Sequence, residues 1–148
     1  MTCRAKPAAY YNLSVKITKR YILISDDVRT ETSGKLIVIG LHTPDIKVPK
    51  LPFVIPLAFT AAISIEGVGS FEMSGDLRHC DSRDLVLQFG AKGEVKKSGP
   101  ALIPFKFPAV SFEKAGSYEV SLVLEGQPEM TERFEISILE EQKVESHE

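Results

Sequence analysis

Polar and apolar positions alternate along much of the chain. In the run from Leu57 to Glu66, the side chains of Leu57, Phe59, Ala61, Ile63 and Ile65 fall on one face and those of Thr60, Ser64 and Glu66 on the other. A period of two predicts a half-buried strand. The pattern returns in Tyr118 to Glu125, with Tyr118, Val120, Leu122 and Leu124 inward, and in Arg133 to Ile138, with Phe134 and Ile136 inward. Between these runs Gly126-Gln127-Pro128-Glu129 has the composition of a turn, so Ser117 to Ile138 is predicted to be a β-hairpin.

Shorter runs rich in β-branched and aromatic residues predict strands at Tyr21–Ser25, Gly34–Leu41 and Leu85–Phe89, and one over Phe105–Phe112 where Pro108 implies an edge or a bend. Leu36-Ile37-Val38-Ile39 is apolar at successive positions, which is expected of a central strand covered on both faces. Residues 44–56 and 98–108 carry most of the nine prolines and read as extended crossovers over the sheet edges. Gly67-Val68-Gly69 and Gly90-Ala91-Lys92-Gly93 read as turns. About seven strands with Gly and Pro turns predict an all-β fold, an antiparallel two-sheet sandwich of immunoglobulin-like type.

Composition fits a single folded domain. A chain of 148 residues, with 43% hydrophobic and 26% charged side chains, is long enough to bury one core and is neither disordered nor collagen-like in character. A formal net charge of -2 gives no overall drive toward nucleic acid or an anionic membrane. Charge is unevenly placed, since Arg4, Lys6, Lys16, Lys19 and Arg20 precede any acidic residue and Glu140, Glu141, Glu145 and Glu148 crowd the end. The expected organisation is a basic N-terminal extension over 1–20, a β-sandwich domain over 21–138 and an acidic C-terminal tail over 139–148. Cys3 and Cys80 permit at most one bridge, so no disulfide framework is expected. The first residues lack the unbroken apolar run of a secretory signal, and Phe53 to Phe59 is broken by Pro56, far short of the roughly 20 residues that span a bilayer. The cytoplasm is the expected compartment.

The densest cluster of charge is Ser25-Asp26-Asp27-Val28-Arg29-Thr30-Glu31, ahead of the turn Thr32-Ser33-Gly34-Lys35. Adjacent carboxylates on extended backbone point to opposite sides, which prevents Asp26 and Asp27 from acting as a facing acid and base. One of them is expected to accept turn N–H bonds and pair with Arg29, with Gly34 supplying a backbone conformation that other residues adopt poorly. A carboxylate metal or hydrolytic site here is the alternative, although Ca²⁺ would need about 6–8 oxygen ligands drawn from several loops.

The motif Asp26-Asp27-Val28-Arg29, then Gly34-Lys35-Leu36, a strand ending at Gly40, and Val48-Pro49 with Phe53, resembles an uncharacterised bacterial domain-of-unknown-function family. Its pattern reads aspartate-aspartate-valine-arginine, then asparagine-glycine-lysine, then glycine. Gly116-Ser117-Tyr118 resembles the closing glycine-x-tyrosine strand of the same family, and Ser33 stands where asparagine is usual. The resemblance implies a β-sandwich and assigns no activity.

Elsewhere the chemistry is sparse. Asp76, His79, Cys80 and Asp81 lack the second ligand pair of a structural zinc site. Adjacent His79 and Cys80 do not align as base and nucleophile. The glycine pairs have no helix behind them to cradle phosphate. Tyr10 and Tyr11 are expected to pack rather than stack on bases or sugars. No catalytic residue, cofactor or metal is therefore expected. The function predicted is a non-enzymatic protein-interaction module, either a homodimer or a binder of another protein, with Asp26, Asp27, Arg29, Gly34 and Lys35 as its candidate cluster. The alternatives are an enzyme at Asp26, Asp27 and Arg29, or a small-ligand or glycan binder.

Overall fold

The computed structural model describes residues 15–140. Nine strands follow in chain order: β1 (Lys16–Thr30), β2 (Leu36–Leu41), β3 (Asp45–Val48), β4 (Phe53–Glu66), β5 (Gly69–His79), β6 (Leu85–Val95), β7 (Gly99–Phe112), β8 (Gly116–Leu124) and β9 (Met130–Ile138). They form two sheets, one ordered β2-β1-β4-β7 and the other β3-β9-β8-β5-β6. Among the described residues, no helix is long and apolar enough to cross a membrane.

The alternating runs build the core between the sheets. From β4 come Leu57, Phe59, Ala61, Ile63 and Ile65, and from the other sheet Leu77, Tyr118, Val120, Leu122, Phe134 and Ile136, all buried in one cluster. Each such aliphatic or aromatic side chain contributes roughly 1.5–3 kcal/mol by leaving water. Phe89 links the layers at one side, with ring centroids 4.8 Å from Phe105 and 5.1 Å from Phe107. The hairpin β8–β9 pairs Tyr118 with Phe134 and Leu122 with Met130, as the turn at Gly126 predicts.

The corner between β7 and β8 is closed by Tyr118. Its hydroxyl donates to the Lys114 carbonyl at 2.6 Å, its ring meets Phe112 edge-on at 4.9 Å, and burial pushes its hydroxyl pKa up. His79 fills the space beside Gly116, where a Cβ would stand 3.0 Å from Nε2.

Several expectations are corrected. Among the described residues there are nine strands where about seven were expected from turn spacing, and β3 pairs with β9 in parallel. The proline-rich segments are not crossovers: 44–56 holds β3 and the start of β4, and 98–108 holds most of β7. Both β3 and β7 are edge strands, where a missing N–H costs little. The expected edge position of Phe105–Phe112 is thus observed. Gly90 and Gly93 lie inside β6; at Gly93 the Phe71 ring would sit 2.6 Å from an added Cβ, so close packing, not a turn, explains this glycine. Gly67 and Gly69 do form the turn between β4 and β5. Leu36–Ile39 is an edge strand, not a central one. Its covered and bare residues alternate, with Ile37 and Ile39 at 40% and 38% exposure. β1 begins at Lys16, inside the segment expected to be an extension. The rest of that segment, with Cys3, Tyr10 and Tyr11, and most of the acidic tail lie outside the described residues.

Candidate functional site

β1 belongs to two pairings. From Lys16 to Ser25 it lies against β4, and from Ser25 to Thr30 it pairs with β2, so the β1–β2 hairpin runs past the sheet as an arm. The cluster Asp26, Asp27 and Arg29 forms the root of this arm, and Gly34 and Lys35 form its tip.

At the root the two carboxylates diverge as extended backbone requires. Asp26 leans across β2, with Oδ1 2.7 Å from Nε2 of His42. Close as it is, the contact lacks hydrogen-bond geometry, and that nitrogen has no hydrogen-bond partner among the described residues. Gly40 makes room for it: φ is +67°, and an added Cβ would stand 2.8 Å from Cγ of Asp26. Asp27 turns the other way. Its Oδ1 lies 2.8 Å from Nζ of Lys106 on β7, its Oδ2 lies 3.2 Å from Nε of Arg29, and the Val28 N–H donates to it at 2.9 Å. Lys106 most of all holds the Asp27 carboxyl below the usual carboxylate range; desolvation, the next-largest influence, pushes it up, and Arg29 and the Val28 N–H add to the lowering. The two carboxylates thus meet different partners on opposite sides of β1 and do not face each other as acid and base.

The tip is a tight turn. Gly34 donates to the Glu31 carbonyl at 2.9 Å with φ at +90°, the left-handed region that glycine enters without a Cβ penalty. Lys35 is exposed and has no acidic partner among the described residues.

Arm and sheet enclose a cleft of about 940 Å³. The tip lines it with Thr30, Lys35 and Leu36, and the outer face of the sheet with Tyr21, Ala62, Ser64, Leu102 and Pro104. Its floor is a row of small side chains on β4, flanked by Tyr21 on β1 and Leu102 on β7, both partners of Ala62. Farther along this face Ala58 and Thr60 are fully buried, although they point away from the inter-sheet core. Val28 on the arm is buried too and stands outside the core cluster. Thr60 Oγ1 has no hydrogen-bond partner there.

Asp76 to His79 close the end of β5, not a surface loop, and the turn from Cys80 to Asp84 that follows is held by its own contacts. His79 is buried, with Nε2 3.0 Å from the Ala115 carbonyl and Nδ1 3.1 Å from the Ser82 N–H, so its ring locks a corner. Asp84 pairs with Lys114 at 2.7 Å. Among the described residues no group of three or more His, Cys, Asp or Glu side chains is placed to hold a metal ion.

The motif residues at the root and tip of this arm lie within a region that one family model spans. A family of unknown function, DUF6941, matches over residues 20–138. The chain belongs to this family. A search of the curated proteins finds no match. The DUF6941 region takes in all the strands from β2 to β9 and most of β1. Within it, sequence reasoning missed Lys106, Thr60 and the cleft. One signal was present: the outward positions of β4 are Ala58, Thr60, Ala62 and Ser64, where a solvent-facing strand usually carries charge.

Proposed function

We propose that this DUF6941 member is a self-association module, joined to a second copy through β2 of its arm. The observation that carries the proposal is the bare edge of β2. Ile37, Ile39 and Leu41 share one side and are 40%, 38% and 62% exposed, without proline or charge between Leu36 and Leu41. The other edges are defended: β7 carries Pro100, Pro104 and Pro108, β3 is four residues long between prolines, and β6 presents Lys92 and Glu94. Natural sheets use these devices to prevent strand addition. Antiparallel pairing about a twofold axis at Ile39 sets Ile39 against its own copy and Ile37 against Leu41, so the apolar row complements itself.

We also infer an immunoglobulin-like sandwich. Support comes from Tyr118, two residues before the fully buried Val120, reaching back to the Lys114 carbonyl in the manner of a tyrosine corner. The chain passes between sheets at β2–β3, β3–β4, β4–β5, β6–β7 and β7–β8, and such crossings are a feature of sandwich topologies of the Greek-key kind. The Trp of antibody domains is absent.

The pairing is tested by disulfide trapping. In a chain with Cys3 and Cys80 replaced by Ser, Ile39→Cys is expected to form a covalent dimer under mild oxidation, while Val54→Cys, also on an exposed site, does not. Equal trapping at both positions would defeat the proposal.

A further inference from the structure

We propose that a polar pocket on the outer face of the second sheet binds a zwitterionic dipeptide, its free carboxylate at Arg83 and its free ammonium at Glu129. This site lies on the other sheet from β2, so its test is independent of self-association.

The strands bring the charges together in rows. Leu77, Val120, Leu122 and Phe134 are buried in the core, which turns the alternate residues Asp76, Arg78, Glu119, Ser121 and Arg133 outward. Arg78, Glu119 and Arg133 form one row across β5, β8 and β9, and Asp76 faces Ser121 in the next. With Arg83 from the β5–β6 turn and Glu129 from the β8–β9 turn, they line a pocket of about 290 Å³.

Charge selects the class of ligand. Three arginines and three carboxylates line the pocket, so a simple anion or cation meets as many like charges as opposite ones. Asp76 already pairs with Arg78 at 3.5 Å, and Glu119 with Arg133 at 2.8 Å. Arg83 and Glu129 are left over, without an ion-pair partner among the described residues. One cation and one anion on the walls of one pocket match a ligand that carries both charges, each held by charge-assisted hydrogen bonds.

The backbone singles out Arg83 as well. Its φ of +65° is the only positive value among the described residues outside glycine. Such a conformation persists where the surroundings over-determine it, as they do at ligand sites. Here the Arg83 N–H donates to the His79 carbonyl at 2.9 Å, and the Arg83 carbonyl accepts from Nη1 of Arg78 at 3.2 Å.

Spacing sets the size. Glu129 precedes Met130, whose partner on β8 is Leu122, and the turn bearing Arg83 follows His79, whose partner is Tyr118. Four residues of β8 separate these rows, about 13 Å along the strand. The two side chains cover part of that span, and the remainder suits a dipeptide, whose two residues extend roughly 7 Å. The charges of a single amino acid are too close together to reach both groups. A longer peptide exceeds a volume already at the lower limit of small-molecule sites, roughly 300 Å³. Ser121, between the two rows, presents its hydroxyl to the ligand's one peptide bond.

The test is titration calorimetry with alanyl-alanine, alongside its N-acetyl form, its C-terminal amide and free alanine. One alanyl-alanine per chain is expected, with each of the three controls weaker by about tenfold or more. Arg83→Gly should bind alanyl-alanine and its amide equally weakly, and Glu129→Gln should do the same for alanyl-alanine and its N-acetyl form, because each variant removes the partner of the charge that the control lacks. Glycine suits the left-handed backbone at Arg83, so the melting temperature of Arg83→Gly should hold or rise while affinity falls, a combination that a purely structural role would not produce. No binding of alanyl-alanine at millimolar concentration, equal binding of the capped forms by the wild type, or undiminished affinity in either variant would overturn the proposal.

Discussion

Nζ of Lys106 on β7 and Oδ1 of Asp27 on β1 stand 2.8 Å apart, across the intervening strand β4. The register explains how they meet: Ser25, Ala58 and Lys106 form one row across three strands, and the small Ala58 lets the lysine reach over it. The pair ties the root of the arm to the far edge of the sheet, holding in place the hairpin whose other side bears the bare apolar row.

The Asp27 carboxyl is held below its ordinary range chiefly by Lys106, and this predicts how stability responds to acid. A depressed carboxylate contributes stability that is present in full above the unfolded value, near 3.9, and is lost as pH falls through the lowered folded value. Thermal melts from pH 5 down to pH 2 should therefore show a steeper loss in the wild type than in Asp27→Asn. Lys106→Met should lie between them, since Arg29 and the Val28 N–H still favour the charged form. Parallel curves for all three proteins would count against the ion pair.

Two glycines of the arm separate backbone strain from steric conflict. At Gly34 φ is +90° and an added Cβ meets nothing within 4 Å, so Gly34→Val should cost only the conformational penalty, about 1 kcal/mol. Gly40 combines φ of +67° with the Asp26 carboxylate, and Gly40→Ala should cost more, on the order of 1–3 kcal/mol. Urea unfolding of Asp26→Ala/Gly40→Ala should recover part of that loss, because the colliding group is gone. Additive losses would show that the two residues do not compete for the space.

The hairpin β8–β9 carries the core. Leu122 is fully buried, so Leu122→Ala should destabilise by about 2–5 kcal/mol. Tyr118→Phe removes only the 2.6 Å bond to the Lys114 carbonyl and should cost about 0.5–1.5 kcal/mol. Denaturant midpoints of the two variants give both values in one experiment.

Period-two alternation made β4, β8 and β9 legible, because each has one face in the core and the pattern is local. Edge strands were harder to place. Leu36-Ile37-Val38-Ile39 reads as doubly covered by composition alone, yet among the described residues it pairs with β1 on one side only. Prolines on either side of β3 and within β7 disguised strands as loops, since an edge tolerates what a central strand does not. The divergence of Asp26 and Asp27 followed from the backbone, and so did the pairing of one of them with Arg29, which the structure shows to be Asp27. Lys106 lies far from them in sequence, and only the sheet register brings it near.

Self-association through β2 is tested most directly by sedimentation equilibrium over a concentration series, comparing the wild type with Ile37→Lys/Ile39→Lys. Both isoleucines are exposed, so the substitutions should leave the melting temperature almost unchanged while placing charge on the edge. The wild type is expected to rise toward twice the chain mass of 16.3 kDa and the variant to stay at the monomer value. A wild type that remains at 16.3 kDa at the highest concentrations, or a variant that dimerises equally well, would contradict this account.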